Sequence, residues 1–254
     1  MTEQEKPRFP PPLAEILGRL SSRRVSPDVV LDPVFRLRYE AYRRENFIPV
    51  NIEEICVDDL DDAPNGMTYG IYLDDRLISS IRVHHLTAEH RKSPSMKVFP
   101  DILGPMLDKG MTFVDPSRFT VDKDASLAIP ALPFLTLRIT TLATEYWNVD
   151  YTLSLVRPEH GAFYRRIFNA EKISDIRRYP DIDFDVLLLR SNYQKVRGRV
   201  GSRFPIFKST PEEREALFGP RPEGEEYPFV HPTAIEADTA ELRGTRAPQR
   251  EDAE

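Results

Sequence analysis

The chain has 254 residues, 40% of them hydrophobic, a formal charge of −6 and one cysteine, Cys56. That content supports one good-sized core, and a lone thiol excludes an intrachain disulfide. Residues 1–30 carry prolines and charges without an unbroken apolar run, and nothing later reaches the ~18 apolar residues of a membrane span, so a cytoplasmic protein with no transmembrane segment is expected.

The acidity is local. From Ser209 to Glu254 twelve acidic residues stand against five arginines, a net of −7, which leaves about +1 for residues 1–208 by subtraction from −6. The chain accordingly divides into an N-terminal extension with a short helix (1–31), a central domain (32–208), and an acidic, proline-rich tail (209–254) expected to be disordered or draped on the surface. Just before the tail, Arg190 to Lys208 holds six basic residues and no acidic one, a strip suited to an acidic partner.

In chain order, an amphipathic helix is expected over about Leu13 to Arg23. Asp32 and Pro33 supply an N-cap and a first-turn proline for a helix to about Glu45. An acidic, turn-rich loop comes next, and then an antiparallel hairpin of residues 68–73 and 77–86 around Asp74, Asp75 and Arg76. FPDILGPML reads as a short helix and MTFVDPSRFTVD as a strand interrupted by charge. The longest helical pattern covers residues 130–147. A strand at 150–156, a helix opened by Pro158 and a strand at 184–190 complete the series. The order argues an α/β (α+β) fold, a mixed sheet with helices on both faces.

Much chemistry is missing. Glycine fingerprints for dinucleotides or phosphates, CxxC and HExxH are all absent, so no metal site is expected. His84 and His85 sit in an expected strand as half-buried histidines, and Cys56 reads as a passive loop residue.

What remains is charge inside apolar context: Arg38 in a helix, Arg82 in ISSIRV, and Asp115 with Arg118 in DPSRF. FRLRYEAYRRENF, DDLD, ISSIRV, MKVFPDIL with DPSRF, and RPEHGAFYRRIFNAEKISDIRRYP occur in that order. Over about residues 32–195 this series resembles the acyl-homoserine-lactone synthases and, more closely in its second half, the long-chain N-acyl amino acid synthases. Both belong to the GCN5-related N-acetyltransferase fold group.

The resemblance implies a mostly antiparallel sheet with a central strand splay. It also implies transfer of a long-chain acyl group from acyl carrier protein to the amine of an amino acid or related small molecule. The alternatives are a lactone synthase using S-adenosylmethionine and a non-catalytic acyl sensor. Arg38, Tyr42, Phe47, Asp58, Asp61, Arg82, Ser117, Arg118 and Phe119 fall on the substrate-site pattern, with Asp115 in the place of the family's glutamate. Asp115 is expected at an open cleft, taking a proton from the incoming ammonium through a water. Arg118, on the opposite face by strand parity, meets it only if the Pro116 region is bulged.

No tightly bound cofactor is implied, and no nucleic acid partner. The glycine loop that grips pyrophosphate in coenzyme A-dependent relatives is replaced by DKDASLAIPAL, which favours acyl carrier protein over coenzyme A as donor. Arg165, Arg166, Lys195, Arg197 and Arg199 are the residues expected to meet that acidic protein.

Overall fold

A computed structural model describes residues 11–26, 32–180, 184–222 and 225–246; the first ten residues of the expected extension and the last eight of the tail lie outside these. Helix α1 (Pro11–Arg19) leads directly into strand β1 (Leu20–Arg24). Asp32 caps α2 (Pro33–Arg44), its Oδ1 accepting from Val34 N at 3.0 Å. The hairpin comes next as β2 (Gly66–Leu73) and β3 (Arg76–Leu86). The first helix is therefore shorter than expected: LSSRR pairs antiparallel with β2, Leu20 opposite Leu73 and Arg24 opposite Tyr69.

Two short helices, α3 (Pro94–Val98) and α4 (Pro100–Asp108), precede β4 (Phe113–Val121). After α5 (Lys123–Ala128) comes the long α6 (Leu132–Tyr146), then β5 (Tyr151–Val156) and α7 (Gly161–Phe168). Strands β6 (Glu171–Lys172), β7 (Arg177–Arg178) and β8 (Asp185–Ser191) lead to helices α8 (Tyr193–Arg203), α9 (Pro211–Phe218) and α10 (Ala234–Arg246).

Among the described residues the sheet has eight strands in the order β1-β2-β3-β4-β5-β8-β6, with β7 on the side of β8. Every pairing is antiparallel except β4 with β5. Strand alternation sends neighbours to opposite faces. Val114 packs with Ile71, Ile81 and Val83 against Leu135, Ile139 and Leu142 of α6. Phe113 packs with Leu86, Leu153 and Leu188 against Phe99, Leu103 and Leu107. Each such fully buried side chain contributes about 1.5–3 kcal/mol.

Helix α6 is buried nearly all round, because the C-terminal helices cover the side turned away from the sheet. Its threonines fit there by bonding backward: Thr136 Oγ1 donates to Leu132 O at 2.9 Å and Thr144 Oγ1 to Thr140 O at 2.8 Å.

The tail corrects its expectation. Leu217 and Phe218 of α9 are buried in the main core. Glu213 forms a buried ion pair with Arg138 of α6, one of its contacts measuring 2.8 Å, and accepts from Thr233 N at 2.9 Å and Thr233 Oγ1 at 2.6 Å. Val230 exchanges backbone hydrogen bonds of 2.9 Å with Ser22 of β1. Glu213, one of the acidic residues that give the tail its charge, also anchors it.

Candidate active site

Strands β4 and β5 stay paired only over Phe113–Tyr151 and Val114–Thr152. Beyond that point Pro116 has no N–H to offer a ladder, and the strands part. On its other edge β4 carries a bulge: Ser80 faces Thr120 and Arg82 faces Ser117, so Ile81 is opposed by both Arg118 and Phe119. Arg118 accommodates the extra residue with a left-handed φ of 52°.

The gap opens into a cleft of about 700 Å³. Its lining draws on both cores: Tyr42, Phe47, Tyr179 and Phe184 belong to the α3–α4 side, Leu137, Phe163 and Tyr164 to the α6 side. The cleft therefore passes through the sheet.

Of the expected substrate residues, Tyr42, Phe47, Ser117, Arg118 and Phe119 line the cleft. Arg38, Arg82, Asp58 and Asp61 sit behind it as a buried ionic network. Arg38 reaches Asp61 at 2.7 Å, and Arg82 reaches Asp58 at 2.6 Å and Asp61 at 2.9 Å. Arg118 Nε donates to Asp58 Oδ2 at 3.1 Å, with a second contact through its terminal nitrogen. Arg82 Nε also donates to Ser117 Oγ at 3.2 Å, tying the network to the bulge.

The acidic loop is thus riveted to the sheet. Burial raises the Asp58 carboxyl, but Arg82 and Arg118 overcome it and hold the group far below the usual carboxylate range. Asp61 is lowered against burial by Arg38 and Arg82. Three guanidiniums share two carboxylates, leaving one excess positive charge, and Arg118 is the network member that faces the cleft. Its cation stands 5.3 Å from the Tyr42 ring.

Asp115 departs from expectation. It shares parity with Phe113 and points into the α3–α4 core, fully buried and outside the cleft lining. Its oxygens accept from Ser95 N at 2.9 Å and Ser95 Oγ at 2.8 Å, with the Ser93 hydroxyl adding a third donor. Burial raises its pKa and the serine bonds oppose the rise. The bulge does form, yet Arg118 turns to Asp58 instead. Asp115 is the anchor of the α3 N-terminus.

Tyr164 and Arg157 were not singled out from sequence, though both lie in the RPEHGAFYRR stretch. Tyr164 lines the cleft, burial pushes its phenol up to about 12, and its hydroxyl has no hydrogen-bond partner among the described residues. Arg157 stands over the Phe47 ring at 5.6 Å. His84 is buried; burial and then Arg82 push its imidazole down to about 3.

The five basic residues expected to meet a partner are exposed: Arg165 and Arg166 in the last turn of α7, Lys195, Arg197 and Arg199 on the adjacent α8. None forms an ion pair among the described residues.

None of the curated proteins matches the chain. Among solved structures, FeeM, an N-acyl amino acid synthase from uncultured soil microbes, is 16% identical with a TM-score of 0.58, over 73% of this chain and 97% of that one. BjaI, a CoA-dependent acyl-homoserine lactone synthase, is 14% identical with a TM-score of 0.52, over 71% of this chain and 90% of its own. The acyl-homoserine lactone synthase LasI is 12% identical with a TM-score of 0.51, over 82% and 98%. These likenesses show a shared acyltransferase fold. A sequence model of the N-acyl amino acid synthase FeeM family matches residues 33–192, and the chain therefore belongs to that family of acyltransferases.

Proposed function

We propose that the protein transfers a long-chain acyl group from acyl carrier protein to the amine of an amino acid or related small molecule. The observation that carries this reading is the cleft itself, a passage through the sheet with a cation at its floor, an unpartnered phenol on its wall and apolar rings at both ends.

Even an α-amine with a pKa near 8 is only about one-tenth neutral at pH 7, and that of a free amino acid is more basic, so the amine attacks as a minor neutral species. The amine nitrogen attacks the thioester carbon, the C–S bond of the tetrahedral intermediate breaks, and the proton lost by nitrogen ends on the departing thiolate. What must be supplied is stabilisation of the oxyanion. Beyond Thr152 alternate backbone groups of β5 have no β4 partner and point into the gap. The Tyr164 hydroxyl, protonated at any physiological pH, adds a donor, each donor being worth about 10²- to 10³-fold. Arg118 offers its excess charge to an acceptor carboxylate.

The segment after β4 favours carrier protein over coenzyme A. Asp122 caps α5 with its own carboxylate, accepting from Ala125 N at 2.9 Å, and Asp124 sits in the first turn. A pyrophosphate placed there meets two acids and no glycine nest. The exposed cations of α7 and α8 suit an acidic carrier.

The test compares one acyl chain presented on acyl carrier protein, on pantetheine and on coenzyme A. A carrier advantage in kcat/KM that falls with salt, and disappears when Arg165, Arg166, Lys195 and Arg199 are changed to Glu, supports the reading. Equal use of all three donors by both proteins contradicts it.

A further inference from the structure

At the α6 end of the cleft the back wall is built in layers, the outer one lying beyond the matched family region. Phe163 lines the cleft, and its ring centroid lies 5.8 Å from that of Phe134. Phe134 stacks on Phe204 at 5.3 Å and tilts against Phe207 at 6.1 Å. Both Phe204 and Phe207 lie beyond residue 192, where the family match ends.

The segment that carries those two rings is pinned. Arg138 Nε donates to Ile206 O at 2.8 Å and its terminal nitrogen to Lys208 O at 2.7 Å, so the guanidinium grips the backbone on both sides of Phe207. Glu213 holds that guanidinium in turn, and Thr233 holds Glu213. For the backbone that carries the buried Phe207 to retreat, a buried and fully bonded ion pair has to break. Phenylalanine is itself stiff, with few rotamers to yield into.

We propose that this wall, Phe163 backed by Phe134, Phe204 and Phe207, sets the longest acyl chain the enzyme accepts, which makes the segment after the family region a specificity element. The inference rests on the reading of the cleft as an acyl site. Up to the wall, each methylene that leaves water strengthens binding roughly fourfold. Past it, a methylene has to displace a pinned ring, so affinity drops instead of rising.

Calorimetric titration with saturated acyl-pantetheine thioesters, octanoyl to stearoyl, tests this without needing the acceptor. Wild type is expected to bind more tightly with length up to a limit and then to weaken. Phe163→Ala and Phe204→Ala move that limit about two carbons or more toward longer chains, with roughly tenfold gain for the first donor the wild type excludes. Phe163→Trp moves it toward shorter chains, and carries the test where an alanine variant does not fold. One limit shared by wild type and all folded variants overturns the wall. Failure of wild type to bind any thioester overturns the acyl-site reading instead.

Discussion

Ser95 occupies both oxygens of Asp115, donating its hydroxyl to Oδ1 at 2.8 Å and its N–H to Oδ2 at 2.9 Å. A carboxylate so held organises the turn into α3 and, through Pro94, the neighbouring edge of the cleft. Asp115→Asn sets an amide N–H against one of the Ser95 donors. The expected cost is about 1–3 kcal/mol in chemical unfolding, with kcat retained in the folded fraction. A drop in kcat of about 10²-fold or more at unchanged stability restores Asp115 as a base.

Asp58 holds two arginines, so its removal strands both. Asp58→Asn leaves three buried guanidiniums with one carboxylate, and the expected loss is about 3–5 kcal/mol of unfolding free energy. Its neighbour Asp59 is exposed and pairs with Lys97 at the surface. Asp59→Asn is expected within about 0.5 kcal/mol of wild type, and equal losses for the two variants contradict the network as described.

Acid sensitivity arises from His84, whose folded pKa of about 3 lies below the ~6.5 of an unfolded histidine. As pH falls below about 6.5 the unfolded chain takes up a proton that the folded state refuses, so stability declines. Asp58 and Asp61, depressed by their arginines, extend the decline below about pH 4. Asp115, raised by burial, works the other way. Urea unfolding at about pH 7.5 and 5 measures the effect, and His84→Gln is expected to shrink the difference. An unchanged difference assigns the sensitivity to other groups.

Tyr164→Phe removes one donor and almost no volume. The expected result is a fall in kcat of about 10²- to 10³-fold with little change in KM for the acyl donor. Loss of donor binding with kcat intact makes the tyrosine a packing residue of the tunnel.

The sequence conveyed the elements whose signals are local. Asp32 with Pro33 announces α2, and the apolar spacing of residues 130–147 announces α6. Other features depend on partners distant in the chain. LSSRR reads as helix until β2 lies beside it. The tail looks disordered because Glu213 counts as one more surface charge until Arg138, 75 residues away, is placed against it. The same holds for the site. The charged series was legible, but which side of β4 each charge occupies depends on the bulge at Arg118, and Ser95 gave no signal as the partner of Asp115.

The most direct test is mass spectrometry of the product formed from acyl carrier protein thioester, the purified protein and a panel of amino acids, with S-adenosylmethionine in a parallel arm. Formation of N-acyl amino acid, lost when Arg118 is changed to Met, is the outcome expected of a cleft that joins donor to acceptor through the sheet. An acyl-homoserine lactone as the sole product, or no amide with any amine, contradicts it.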